Sequence, residues 1–122
     1  MRNILEGVAI CAVTAVTFVA SPLTWAQDID EAIAPAVKLV NEKYAEHHLD
    51  IKKLFAQRCS WCHQGYGMRQ ADGPKLGGTD KSREQVVKQI ANGKSPMPGF
   101  KKQLKEYELE ALADYIKALP AN

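Results

Sequence analysis

The chain has 122 residues, of which 46% are hydrophobic, 25% charged and 7% aromatic. That is a globular composition, and it excludes disordered, collagen-like and low-complexity classes. Sixteen basic and fourteen acidic residues leave a net charge of +2, too balanced for a dedicated nucleic-acid binder.

In chain order, the first 26 residues read as an export signal. Arg2 and the α-amine give a short positive region, and Gly7 to Ala20 is an uncharged, mostly apolar run. Ser21-Pro22 breaks the run. Thr24-Trp25-Ala26 places small residues where a signal peptidase reads, so cleavage is expected near Ala26. The rival reading is a retained anchor, but a spanning helix needs about 20 apolar residues and this run stops short of that. Cys11 falls inside the leader as a small apolar residue. Removing residues 1–26 leaves Gln27–Asn122, 96 residues with two cysteines, Cys59 and Cys62. An exported chain of this size buries a small core and often needs a disulfide, a metal or a cofactor.

Residues 27–49 form a polar, mixed-charge N-terminal extension. Within it Ala36–Ala45 is expected to be helical, with Val37, Val40 and Tyr44 on one stripe and Pro35 near its start, where a missing N–H costs least. Asp50 reads as the N-cap of a helix over Ile51–Arg58, whose Ile51, Leu54 and Phe55 share a face. Gly65–Thr79 carries five glycines and Pro74 and reads as loop. Ser82-Arg83-Glu84-Gln85 is a capping box. It opens a helix carrying Val86, Val87 and Ile90 that stops at Asn92-Gly93. Ser95–Phe100 contains two prolines and is extended or turning. The last helix spans Glu106–Ala118, with Leu109, Leu112, Ala113 and Ile116 on its apolar face. No strand of useful length is visible, so the class is all-α.

Cys59-Ser60-Trp61-Cys62-His63 is C-x-x-C-H, a c-type haem attachment sequence. Two thiols three positions apart can add to the two vinyl groups on adjacent edges of a porphyrin, and the following His63 then lies under the iron. Covalent capture of one haem c accounts for both remaining cysteines. A redox C-x-x-C pair belongs in a βαβ context, which is missing. A structural zinc site needs four ligands, and the other histidines, His47 and His48, are adjacent and badly spaced for one.

The second axial position decides between electron transfer and ligand binding. Candidates are Met68, Met97, His47 and His48. Met97 lies in Ser95-Pro96-Met97-Pro98-Gly99, where the prolines stiffen the backbone and can hold a thioether at a fixed place. Met68 follows His63 too closely to reach the opposite haem face. Met97 is therefore the expected partner of His63, and Met/His ligation suits electron transfer. The bland alternative for Met97 is a gap-filling core residue. For Met68 it is loop packing, and for the two histidines a solvated helix end.

From Asp50 to Leu119 the chain resembles the class I (mitochondrial-type) c cytochromes. The resemblance rests on Leu54-Phe55 before the C-x-x-C-H motif, Gly73-Pro74-Lys75-Leu76, Asn92-Gly93-x-x-x-Met97-Pro98, and Leu112-Ala113-Asp114-Tyr115-Ile116-Lys117. It implies a small cytochrome c fold, helices wrapped around one covalently bound haem, over residues 50–122. It also implies that the helix of Phe55 crosses the last helix near Leu112 and Tyr115. The Pro74 carbonyl should accept the second ring N–H of His63, and Leu76 should pack on the haem. Lys105 departs from the pattern, standing where many relatives carry a Ser or Thr cap. Tyr66 and Arg69 are candidate donors to the haem propionates. The Gly65–Asp72 connection is similar to that of small bacterial cytochromes serving periplasmic dehydrogenases, quinoprotein alcohol dehydrogenases among them.

With both axial positions filled, a one-electron relay is expected rather than an enzyme: a monomeric periplasmic carrier between a dehydrogenase or membrane complex and a terminal acceptor. Arg69–Lys105 holds nine basic and three acidic residues. A basic rim of this kind would steer a redox partner with an acidic docking surface; the alternative is that these lysines only solubilise. Two other classes stay open. One is a haem subunit bound permanently to a dehydrogenase, with residues 27–49 as its docking arm. The other is a sensor or peroxidase-like enzyme, if Met97 is not a ligand.

Overall fold

The computed structural model describes residues 24–122, so most of the expected leader, with Cys11, lies outside the described residues. Among the described residues four α-helices follow in order: α1 Thr24–Lys43, α2 Ile51–Arg58, α3 Arg83–Asn92 and α4 Glu106–Ala118. Short 3-10 turns lie at Ala45–His47 and Gly65–Gly67. Among the described residues there is no strand, only an isolated bridge between Lys94 and Met97. The class read from the sequence, all-α, is the class observed.

The largest departure from the sequence reading is α1. It starts at Thr24, a dozen residues before the expected Ala36, and Pro35 lies inside it. An interior proline removes one helical hydrogen bond and crowds the carbonyl four residues back. Here Pro35 sits on the exposed face, so the Glu31 carbonyl can turn to water. The opposite face runs unbroken past the proline. Ile33, Ala36, Val40 and, just beyond the helix, Tyr44 are all buried. They pack α1 on α4 and α2, so residues 27–49 share one core with the rest of the described chain.

The remaining helices keep their expected limits. Asp50 caps α2, its carboxylate accepting from the Lys53 N–H at 3.0 Å. Asn41 of α1 accepts the Ile51 N–H at 2.9 Å, satisfying another unpaired donor of that helix start. In α3 the capping box is complete: Ser82 Oγ accepts the Gln85 N–H at 3.2 Å and the Gln85 side chain accepts the Ser82 N–H at 2.8 Å. At α4 a lysine cannot accept from the helix. Only half of the box forms, with Glu108 accepting the Lys105 N–H at 2.8 Å. Phe55 and Tyr115 mark the crossing of α2 and α4, with ring centroids 5.3 Å apart and planes at 59°. That tilted arrangement is one aromatic pairs favour.

Asp114 ties three helices together. Its carboxylate accepts from Lys43 Nζ at 2.7 Å and Tyr44 Oη at 2.6 Å, at the end of α1, and from Arg83 Nε at the start of α3. Burial alone would raise the Asp114 pKa. Hydrogen bonds from Arg83, Lys43 and Tyr44, with the Arg83 charge, outweigh that and hold it at about 2. A carboxylate depressed on folding stabilises the fold above its unfolded pKa, about 4. That contribution is lost as pH falls through the folded value. Asp114→Asn should therefore cost about 2 kcal/mol at neutral pH and lower Tm by roughly 10 °C. Between pH 4 and 2 the wild-type Tm should fall more steeply than that of the variant. Thermal unfolding followed by circular dichroism over that range checks both.

Candidate functional site

The C-x-x-C-H segment continues directly from α2. The Cys59 N–H still donates to Phe55 at 2.8 Å, and the His63 N–H donates back to the Cys59 carbonyl at 2.9 Å. Cys59, Cys62 and His63 therefore lie within one backbone turn. Both cysteines are unpaired and half-buried, and His63 is buried with 7% exposure.

The loop after the motif returns to the histidine. His63 Nδ1 lies 2.8 Å from the Pro74 carbonyl. A carbonyl only accepts, so Nδ1 carries the proton and Nε2 keeps its lone pair for a metal. Gly73 permits the approach: a Cβ there would lie 2.5 Å from His63 Cε1 and 2.8 Å from Nδ1. The Gly73 N–H also donates to the Cys62 carbonyl at 2.9 Å. The sequence pattern marked Gly73 without this reason, because the contact joins residues ten apart through a loop of no periodicity.

Met97 lies half-buried against the apolar core. Lys94 and Met97 exchange both backbone hydrogen bonds, at 3.1 and 2.8 Å, closing the segment into a turn. The Phe100 and Lys101 N–H groups donate to the Ile90 and Ala91 carbonyls at 2.9 and 3.0 Å, fastening it to the end of α3. Gly93 has φ +75°, and a Cβ there would lie 2.6 Å from the Met97 carbonyl oxygen and the Gly99 nitrogen. Gly93 therefore seats the methionine segment, a role invisible in a helix-stop signal. Leu76 is half-buried on the core, its N–H donating to the Gly67 carbonyl at 2.8 Å.

The other candidates are dispersed. Met68 packs in the loop with its sulfur towards Gly77. The His47 ring stacks on Tyr107 with centroids 3.9 Å apart and planes 11° from parallel, while His48 is exposed at the turn into α2. Tyr66 is half-buried and Arg69 exposed.

The donor set fits a c-type haem: two thiols for covalent linkage and an imidazole with its outer nitrogen already tied. It does not fit the alternatives. Among the described residues no three His, Cys, Asp or Glu side chains are grouped to hold a metal ion. A redox thiol needs a lowered pKa, whereas burial pushes the Cys59 thiol up to about 12.

Comparison with known proteins agrees. Residues 47–116 match the family described as cytochrome c oxidase, cbb3-type, subunit III. The chain is 35% identical over 72 residues to cytochrome c6 of Nostoc sp., covering 52% of this chain and 63% of that protein. It is 34% identical over 71 residues to cytochrome c6 of Euglena gracilis, covering 52% and 82% of the two chains. For cytochrome c6 of Anabaena variabilis the identity is 33% over 72 residues, covering 52% and 81%. The chain thus spans less than two thirds of the Nostoc relative's length. No solved structure matches it. The chain belongs to this cytochrome c family and is a class I c-type cytochrome.

Proposed function

We propose that the protein is an exported one-electron carrier with one haem c, attached through Cys59 and Cys62 and ligated by His63 and Met97. The observation that carries this reading is the 2.8 Å contact between His63 Nδ1 and the Pro74 carbonyl beside two unpaired cysteines. The haem, when bound, supplies an iron that changes oxidation state by one electron. The chain's own residues do the rest. The Pro74 carbonyl fixes the His63 tautomer and makes the ring a stronger donor. Gly73 lets that carbonyl come close, and the turn closed by Lys94 and Met97 presents the thioether with little freedom left to lose. Two fixed protein ligands minimise rearrangement on electron transfer and keep substrate from the metal, so the protein relays electrons and catalyses nothing itself.

Export to the periplasm through residues 1–26 follows from the leader pattern, and among the described residues no helix is long and apolar enough to cross a membrane. Lys94, Lys101 and Lys102 are exposed and suit a partner with an acidic docking surface, such as a periplasmic dehydrogenase or a terminal acceptor. Mass analysis of the denatured periplasmic protein should show one haem added and the leader gone, and the native protein should take up one electron reversibly. Haem that extracts into acidified acetone overturns the reading.

A further inference from the structure

The turn that follows the C-x-x-C-H motif is wound the wrong way for ordinary residues. Gly65, Tyr66 and Gly67 have φ of +57°, +54° and +92°. Two of the three are glycines, which adopt this region freely; Tyr66 does not, and must be held there. Three elements hold it. From α4, the buried Tyr115 hydroxyl donates to the Tyr66 carbonyl at 3.0 Å. From α2, Lys52 Nζ lies 5.2 Å from the Tyr66 ring centroid. From α1, Asp30 accepts from Lys52 Nζ at 2.9 Å, and Ile29 lies so close to Gly65 that a Cβ there would stand 3.1 Å from Ile29 Cδ1.

The same turn carries the loop that reaches His63. The Gly67 carbonyl accepts from the Leu76 and Gly77 N–H groups at 2.8 and 3.1 Å. Pro74, two residues before Leu76, presents its carbonyl to His63 Nδ1. A continuous path thus runs from Asp30 and Tyr115, through the turn, to the hydrogen bond on the histidine. Its α1 end lies outside residues 47–116, the span that matches the family.

We infer that α1 and Tyr115 are positioning elements for His63: they clamp the left-handed 65–67 turn, and the turn sets the Pro74 hydrogen bond that orients the imidazole. The inference rests on the electron-carrier reading, in which His63 is the axial ligand. It gives the N-terminal helix a task at the haem, exerted through the polypeptide and without touching the cofactor.

The test uses the holoprotein and three variants. Tyr115→Phe keeps the ring beside Phe55 and removes only the hydroxyl. The double variant Ile29→Ala with Lys52→Met releases the α1 side of the clamp. Val40→Ala removes buried volume from α1 well away from the turn and reports what destabilisation alone does. The readouts are the exchange rate of the His63 Nδ1 proton, the paramagnetically shifted His63 ring resonances in the ferric protein, and the reduction potential. Tyr115→Phe should raise the exchange rate about tenfold, as expected for a hydrogen bond weakened by one RT ln 10 increment. It should also shift the His63 resonances and the potential, and the α1 double variant should move all three in the same direction. Val40→Ala should leave the resonances and potential at wild-type values. Unchanged resonances and potential in both clamp variants overturn the inference, as does an equal shift in Val40→Ala. Wild-type protein without covalent haem overturns the electron-carrier reading itself, and the inference with it.

Discussion

Replacing Cys59 and Cys62 by alanine should leave a chain with no cooperative thermal transition at room temperature. The reason lies in how the structure is distributed. α1 and α3 each bury their apolar faces on α4, through Ile33, Val40, Val86, Ile90, Leu112 and Ile116. The stretch from Cys59 to Ser82 has no α-helix, only the short 65–67 turn. Ordering backbone costs about 1–2 kcal/mol per residue, and this stretch has few buried side chains of its own to offset that. A loop of such length in a small domain needs something to wrap. A haem attached at Cys59 and Cys62, as proposed, would supply that surface, and its two thioether bonds would keep it in place. Without them the helical cluster tied by Asp114 should persist as a loosely packed remnant. Far-ultraviolet dichroism should remain in part, near-ultraviolet dichroism should vanish, and a hydrophobic dye should bind. The double substitution also removes any Cys59–Cys62 disulfide that could mimic the missing link. A sharp melting transition with intact near-ultraviolet signal would show instead that the polypeptide core suffices.

What could be read in advance follows from the range of each signal. Asp50, Ser82 and Gln85 act on groups three residues away, so the starts of α2 and α3 are visible in the sequence. The cysteine and histidine spacing is equally local. α1 extends past the start that the sequence predicts at Ala36 because burial of its apolar face outweighs the hydrogen bond that Pro35 removes. The stripe of Ile29, Ile33, Ala36 and Val40 crosses that proline at helical spacing, and tertiary burial decides a helix of mixed polarity. The Asp114 cluster joins residues 31 and 71 positions apart, and no periodicity encodes it. The same holds for Gly73 under the His63 ring and for Tyr115 on the Tyr66 carbonyl. Local chemistry marks the candidate residues for the proposed haem; the contacts that orient His63 and the methionine segment are set by the fold.

Met97→Ala should keep the haem covalently bound and the protein folded, yet abolish the sulfur-to-iron charge-transfer band, lower the reduction potential and open the iron to external ligands. The structure explains why the effect should be so confined. The methionine segment is fastened by backbone alone: Lys94 to Met97 by two hydrogen bonds, Phe100 and Lys101 to the last turn of α3 by two more. Truncating the side chain breaks none of them. With Met97 as the proposed second ligand, loss of the thioether would leave the imidazole as the single protein ligand, and the ferrous state, which a thioether favours over a second imidazole, would lose its advantage. A companion variant, Gly93→Ala, leaves the sulfur in place and attacks its seat. A Cβ at Gly93 must displace the Met97 carbonyl from 2.6 Å, at a backbone φ of +75° that alanine resists. It should weaken the band without removing a ligand atom, and cyanide or imidazole should bind faster than to wild type. Spectra of both variants in the oxidised and reduced states decide the matter. A Met97→Ala spectrum identical to wild type would move the distal role to Met68 or a histidine, and with it the assignment of the 93–99 segment as the holder of the iron's second ligand.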